Sequence, residues 1–517
     1  MGDRLFDYKN KGKAGEHRGK RREFAVSLRK DKRREKQEKR RDLEEFQQQV
    51  EQFTQTDVGQ AILQLAPQIQ NDLDQSTQFA ALVQLRKHLA NNKTLPIQAT
   101  INSGVLPKMV EMLGWDHAPD TQYEAAWVLT NVSSGEPHQT MSVVEAGAAQ
   151  PLCRLLLSPI DRVKDQACWC LGNVAGDGAD LRDMLIEEGA LNQFIIMLGE
   201  ETNLDILRNV SWTLSNFFRW RNPPAPAEAM QQALPVLAHR VRTQDPEVLA
   251  NVCWSICYIA EAFDDFLDPI CREFGPLFIQ ILSLESHMAQ LPALRALGSI
   301  TAGEDEQTQA VIDLGLLPLC HQLFHSKKAN IRKDTCWTLS NICAGSEEQI
   351  DAVIHENLLT ALVNLALEDP VSKVQQDASW CLCNICTQGL PRHRDYVLKS
   401  GGLDAIALVL NLNMDKKALK VFLEALEMLL QRGEQLVNQQ EFSSNTVVSR
   451  LEEIGFLDTL YPLIDHQDAE VSAQAASLSD TFFSETEQEI EGLVPQQGDG
   501  RYMFSQDAAR DKNFDSI

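Results

Sequence analysis

One five-residue pattern, Trp-x-x-x-Asn, returns at nearly constant intervals along this chain and limits what it can fold into. Trp127 precedes Asn131, Trp169 precedes Asn173, Trp212 precedes Asn216, Trp337 precedes Asn341 and Trp380 precedes Asn384. Between the two groups the interval is kept with other residues, Trp254 with Tyr258 and Arg295 with Ser299. Successive positions lie 41 to 43 residues apart over more than 250 residues. A period of about 40–47 residues is that of stacked helical repeats. Residues i and i+4 of a helix share one face, one turn apart. Each repeat therefore presents an indole above an amide, and stacking sets these pairs in a ladder along one surface. In a single repeat, a core Trp and a helix-end Asn account for the pair about as well. Over five repeats that account weakens, because Leu, Ile and Val fill a core at lower cost and a buried indole N–H needs a partner.

No apolar run approaches the length of a membrane span, so no membrane insertion is expected. The N-terminus is charged and has no signal-peptide apolar region. The twelve cysteines are scattered, mainly on apolar helix faces such as Cys168, Cys170, Cys253 and Cys257, which reads as buried thiols in a reducing compartment. Cys381, Cys383 and Cys386 are close enough to suggest a metal. They lack a second Cys/His cluster at zinc spacing, so no metal and no cofactor is expected.

The net charge of −25 is unevenly spread. Residues 9–41 hold 16 basic and 5 acidic residues, a balance of +11, which leaves −36 on the rest. A basic arm on an acidic body should attract basic ligands to the body, and the body opposes nucleic acid. Residues 1–60 read as the arm and a hinge, with basic clusters at Lys20-Arg21-Arg22, Arg29-Lys30 and Lys39-Arg40-Arg41 and a Gln-rich stretch, Gln47 to Gln70, as the hinge. Too few apolar residues are present for this arm to fold alone. Residues 61–484 read as the repeat array. A Gly-containing turn (Ser103-Gly104, Ala146-Gly147, Glu188-Gly189, Leu314-Gly315) separates two short helices, and a polar break precedes the Trp helix. Three helices per repeat is the armadillo unit. The expected fold is therefore all-α, a right-handed superhelical solenoid of about ten armadillo repeats whose terminal repeats depart from the pattern as caps. Residues 485–517, acidic and then rich in Gly, Gln and Asp, read as a disordered tail.

A groove lined with indoles favours flat or cationic groups, by about 0.5–2 kcal/mol for each Lys or Arg seated on a ring. Asn amides donate and accept, which suits the main chain of an extended peptide. Carboxylates beside the slots would select ammonium or guanidinium, and Asp177, Asp305, Asp334 and Asp377 lie close to the ladder in sequence. Any one of them alone reads as a solvated helix face.

With these features together, the chain resembles importin-α (karyopherin-α) over nearly its whole length. The resemblance rests on the arm from Lys9-Asn10-Lys11-Gly12-Lys13 to Lys39-Arg40-Arg41, the Trp–Asn ladder, Leu171-Gly172-Asn173-Val174-Ala175-Gly176-Asp177, and Arg295-Ala-Leu-Gly298 with Asp305-Glu306-Gln307-Thr308. It implies a nuclear import adaptor that shuttles between cytoplasm and nucleus, with basic localisation-signal cargo, importin-β and an export receptor as partners. It implies a major cargo site of Trp127, Asn131, Gly135, Thr140, Gln166, Trp169, Asn173, Asp177, Trp212, Asn216 and Arg219. Asp177 would grip the key cargo lysine, assisted by the Gly135 carbonyl and the Thr140 hydroxyl. It implies a minor site of Arg295, Thr301, Asp305, Asp334, Trp337, Asn341, Asp377, Trp380 and Asn384. The arm residues Lys20, Arg21, Arg22, Arg29, Lys30, Lys39, Arg40 and Arg41 would bind importin-β and, in its absence, occupy the chain's own groove. Two positions depart from the family pattern: Asn251 stands where Asp is usual, and Ser299 where Asn is usual.

Three other readings bear on the same residues. A non-transport armadillo scaffold for acidic partners would need a basic groove, and this one reads acidic. An enzyme is not expected, since the eleven His are dispersed and no phosphate loop or nucleophile–base set stands out. Direct nucleic-acid binding by the arm is opposed by the acidic body.

Overall fold

A computed structural model of the chain describes residues 57–71, 74–91, 96–284, 287–410, 414, 416–484, 496–498 and 501–503. The basic clusters from Lys20 to Arg41 lie outside the described residues. The chain divides into two units, Met1–Ile342 and Cys343–Ile517.

In the first unit the regular elements among the described residues are all helices. The repeated positions fall on six helices: α1 (Pro119–Ser133), α2 (Asp161–Asp177), α3 (Leu204–Arg219), α4 (Pro246–Ala262), α5 (His287–Thr301) and α6 (Ala329–Ile342). Each packs against the next through its apolar face, with Val128, Leu129, Ala167, Leu171, Val210, Leu214, Val252 and Ile256 fully or almost fully buried. The helix Asp57–Ile69 packs on the helix Gln75–Asn91. This corrects the reading of Gln47 to Gln70 as a hinge, at least from Asp57 on. Ile62, Leu65, Ala66 and Ile69 are spaced i, i+3, i+4, i+7 and all four are buried, so this stretch is part of the packed array.

The short helices of each repeat are separated where one residue takes a left-handed conformation. Gly104, Gly147, Gly189 and Gly315 do so in the first unit, and Gly401, Gly455 and Asn357 in the second. Without a Cβ, glycine adopts this region freely, and Asn tolerates it better than most residues. Two repeats have no such residue at the break, and there the expected pair of helices is a single helix, Ala227–Arg240 and Leu267–Leu282. The three-helix unit is therefore not uniform along the chain.

A second recurring device caps four of the helices that follow a ladder helix. Gln139, Gln307, Gln349 and His393 turn back to accept the backbone N–H of Glu136, Glu304, Ser346 and Leu390, at 2.9, 2.9, 3.2 and 3.0 Å. In three of them the far end of the side chain reaches the preceding repeat: Gln139 donates to Gln98, Gln307 to Asp268, and His393 Nε2 lies 2.9 Å from Asp351. His393 Nδ1 must be the acceptor, so its Nε2 carries the proton and donates to Asp351. The imidazole thus does what a glutamine does elsewhere. His393→Gln is expected to keep both bonds and leave the unfolding midpoint nearly unchanged, whereas His393→Ala should lose about 1–2 kcal/mol with the cap. Thermal denaturation of the two variants compares these directly, and equal losses would refute the assignment.

The second unit carries α7 (Ser372–Gln388) and α8 (Lys416–Asn438). Trp380 of α7 meets Phe422 of α8 edge to face at 5.4 Å. Lys416 and Lys420 of α8 reach Asp468, and Lys420 also reaches Glu470, which ties α8 to the helix Ala469–Phe482. Within the segment read as tail, Gln496–Gly498 pairs antiparallel with Arg501–Met503.

Candidate basic-peptide site on the tryptophan ladder

In the first unit the ladder residues stand on α1 to α6 as the four-residue spacing requires. Trp254 and Tyr258 of α4 stack at 5.4 Å, and Tyr123 and Trp127 of α1 lie 5.5 Å apart, so side chains four apart do meet along one face. Trp169 is the most open indole, 45% exposed, while Trp127, Trp212, Trp254 and Trp337 are half-buried.

The asparagines do more than line the surface. Asn173 Nδ2 donates to the Thr130 carbonyl at 3.1 Å, Asn216 to Gly172 at 3.0 Å and Asn341 to Gly298 at 3.1 Å. Each acceptor is the residue just before the corresponding position of the preceding ladder helix. One amide hydrogen is thus committed to stacking; Nδ2 of Asn173 and of Asn341 also donates to Ser133 Oγ at 3.4 Å and Thr301 Oγ1 at 3.5 Å, which leaves Oδ1 as the group each offers a ligand. Asn131 Nδ2 is buried with no hydrogen-bond partner. Ser299 turns its hydroxyl onto Arg295 of its own helix, so that rung lacks a clamp of this kind. Asn251 Nδ2 bonds Ser211 Oγ at 3.2 Å.

The glycines before two of these positions seat the next indole. A Cβ on Gly172 would lie 2.3 Å from Trp212 Cζ3, and one on Gly298 would lie 2.3 Å from Trp337 Cζ3. The two indoles rest on bare backbone.

Several residues expected to touch a ligand are inside the protein. Thr140 is fully buried and donates to the Ser133 carbonyl at 3.1 Å. Gln166 is buried and donates to Thr130 Oγ1 at 2.7 Å. Thr301 is fully buried, donating to Gly298 and lying 3.5 Å from Asn341 Nδ2. All three hold the ends and flanks of the ladder helices from behind. Their small or amide side chains fit the gap between stacked helices, and the direct contact expected of Thr140 is corrected to support. Gly135 is half-buried, just beyond the end of α1. Arg219 is exposed at the end of α3, beside the ring of Trp220.

The carboxylates differ in state. Asp177 is half-buried at the end of α2, and Asp305 is exposed at the start of the helix Asp305–Asp313. Asp334, 2% exposed, is already paired: Arg295 Nε donates to Oδ2 at 2.7 Å and Lys333 Nζ lies 2.6 Å from Oδ1. A ligand cation would have to share that carboxylate. Burial works against the charge on Arg295, but the Asp334 carboxylate together with Cys257 and Tyr258 offsets it and the guanidinium pKa is raised. Arg295 also lies 5.6 Å from the ring of Trp254. Burial pushes the carboxyl of Asp165 up, and Asn209 Nδ2 at 2.7 Å partly offsets this. In the second unit Asp377 is half-buried with Lys373 at 3.8 Å, Trp380 is half-buried and Asn384 buried.

One ladder residue was missed. Arg86 lies 41 residues before Trp127, one full period. Its guanidinium sits 4.4 Å from the centre of the Trp127 ring and is held there by Glu124, with Nε–Oε2 at 2.8 Å and Nη2–Oε1 at 3.2 Å. Counting one step back from the first Trp would have found it.

Comparison with known proteins matches an armadillo/beta-catenin-like repeat over residues 136–176, 178–219, 304–344 and 346–387. An importin beta binding domain matches over residues 4–126, which takes in the described helices before α1 as well as the basic segment. Importin subunit alpha-1b of Oryza sativa subsp. japonica is 34% identical over 421 residues, 81% of this chain and 78% of that protein. Importin subunit alpha-5 of Arabidopsis thaliana is 34% identical over 513 residues, 98% of this chain and 95% of that protein. Among solved structures, an engineered protein aligns with a TM-score of 0.68 and 23% identity over 82% of this chain and 100% of its own length, a likeness of fold. With an all-α armadillo fold and relatives of this coverage, the chain belongs to the importin subunit alpha family.

Proposed function

We propose that the chain is a nuclear import adaptor whose ladder takes up extended, lysine- and arginine-rich localisation signals and whose basic segment joins it to importin-β. Membership of the importin subunit alpha family and the importin beta binding domain over residues 4–126 support the adaptor role. The observation that carries the groove reading is the run of half-open indoles on α1 to α4, each above an amide or phenol, with Trp169 the most accessible. Ring faces take the cationic side chains, and Oδ1 of Asn173 and of Asn216, with the second amide hydrogen of Asn216, take the peptide main chain. The major site consists of Trp127, Asn131, Gly135, Trp169, Asn173, Asp177, Trp212, Asn216 and Arg219, with Thr140 and Gln166 behind it. Arg295, Asp305, Asp334, Trp337 and Asn341 of the first unit, supported by Thr301, hold a minor cationic segment, and Asp377, Trp380 and Asn384 of the second unit recognise cations in the same way. The clusters Lys20-Arg21-Arg22, Arg29-Lys30 and Lys39-Arg40-Arg41 compete for the groove when importin-β is absent. Release through an export receptor and shuttling between cytoplasm and nucleus complete the cycle.

The test is fluorescence anisotropy of a labelled two-cluster basic peptide and of the same peptide with every lysine changed to glutamine, at two salt concentrations. The basic peptide is expected to bind at least tenfold tighter and to weaken with salt. Asp177→Lys should weaken it several-fold, as expected for a partly exposed carboxylate. No binding of the basic peptide would end the adaptor reading.

A further inference from the structure

Among the described residues the arginine–carboxylate part of the Arg86 arrangement recurs at Arg295, whose guanidinium lies over the preceding indole, Trp254, instead of the next. Arg86 and Arg295 both stand at the ladder's Trp position, and each binds a carboxylate three residues before the Trp of the next helix, Glu124 and Asp334. Each arginine therefore begins a run of tryptophans. At the first of them the indole already carries a cation on its face, since Arg86 lies over Trp127. Both residues of the pair are largely shielded from solvent, with side chains 17% and 10% exposed. A planar guanidinium bound by two parallel hydrogen bonds to a carboxylate is strongly positioned.

We infer that Arg86 is a specificity-determining residue: held on the ring of Trp127 by Glu124, it is the chain's own occupant of the ladder's first cation position and fixes where a bound basic peptide must end. This rests on the proposed groove function. A peptide side chain can use the faces beyond Trp127, but one cation too many at that end of the peptide meets Arg86 and finds no open ring. The acidic partner is also taken, because Glu124 spends both oxygens on Arg86. Peptide length is thus read by like-charge exclusion as well as by attraction.

The experiment uses the full chain and three labelled peptides: a basic core peptide, and the same peptide extended by one lysine at either end. In the natural chain, extension at one end adds nothing or weakens binding. In the double variant R86Q/E124Q, which removes both charges together and leaves no unpaired carboxylate, that extended peptide should gain roughly 2- to 30-fold relative to the core, the range of one cation on an indole. Arg86→Lys keeps a cation beside Trp127 and should restore the natural ratio. Competition from the chain's own basic segment acts on all three peptides alike and cancels in the ratio. An unchanged ratio in the double variant, with the thermal midpoint preserved, overturns the inference while leaving the groove function intact. Failure of the natural chain to bind even the core peptide removes the groove function and the inference with it. If the double variant melts early, Arg86→Met, which keeps the aliphatic stem on the ring, must give the same gain or the inference fails.

Discussion

Replacing Arg182 by methionine is expected to lower the stability of the first unit by about 3–5 kcal/mol, read as the shift of its urea midpoint. Arg182, on the helix Ala179–Glu187, is fully buried. Its Nη2 donates to the Pro223 carbonyl at 2.9 Å, and its Nη1 lies 3.4 Å from the Phe217 and 3.5 Å from the Trp220 carbonyl oxygens. Those carbonyls belong to the last turn of α3 and the chain just after it, where a helix has acceptors without intrahelical donors and a partial negative charge. Methionine fills the space of the stem and supplies no donor, so the buried acceptors lose their partners at about 1–3 kcal/mol each. Because α3 ends in Asn216 and Arg219, the variant should also bind basic peptide more weakly. A midpoint shift below about 1 kcal/mol would mean that solvent reaches these carbonyls, and the buried guanidinium would then have no structural role.

The second large effect is expected at Gly172→Ala. The added methyl would stand 2.3 Å from Trp212 Cζ3 and 2.5 Å from Thr213 Oγ1, so either the indole or the helix must shift. Overpacking of this kind costs about 1–3 kcal/mol. The displaced ring belongs to the ladder, so affinity for basic peptide should fall alongside stability. Gly199→Ala is the control. Its Cβ would meet only Val236 at 3.7 Å, an ordinary contact, and in the last turn of the helix Ala190–Glu200 the change should stabilise by up to about 0.5 kcal/mol without altering binding. If Gly172→Ala behaves like Gly199→Ala, Trp212 is not seated as described.

Much of the array is written in its period. The Trp positions, the breaks at Gly147, Gly189 and Gly315 and the burial of Cys168, Cys170, Cys253 and Cys257 all follow from spacing and side-chain type. Depth is less accessible. Thr140, Gln166 and Thr301 sit on the right helices, but nothing in a single chain tells whether a hydroxyl faces the groove or the neighbouring helix. Partnership is hidden for the same reason. Asp334 reads as an open carboxylate until Arg295, 39 residues away, is placed beside it. The continuous helices Ala227–Arg240 and Leu267–Leu282 were missed because a three-helix unit was carried over repeats that lack the left-handed break. Arg86 lay one step outside the motif because the eye follows the letter Trp, whereas the fold keeps the position.

The seating of each ladder residue on its predecessor has a consequence for how such an array can change over evolution. Trp212 requires the bare backbone of Gly172, and Trp337 that of Gly298; Asn216 and Asn341 reach the same two residues. Neighbouring repeats are therefore fitted as ordered pairs, and moving the repeat of Trp212 or Trp337 behind one that lacks the glycine would bring its indole down on a side chain it was not shaped for. Shuffling the array is thereby restricted at those joints to repeats that bring their own glycine, and specificity changes more readily by substitution within the existing order.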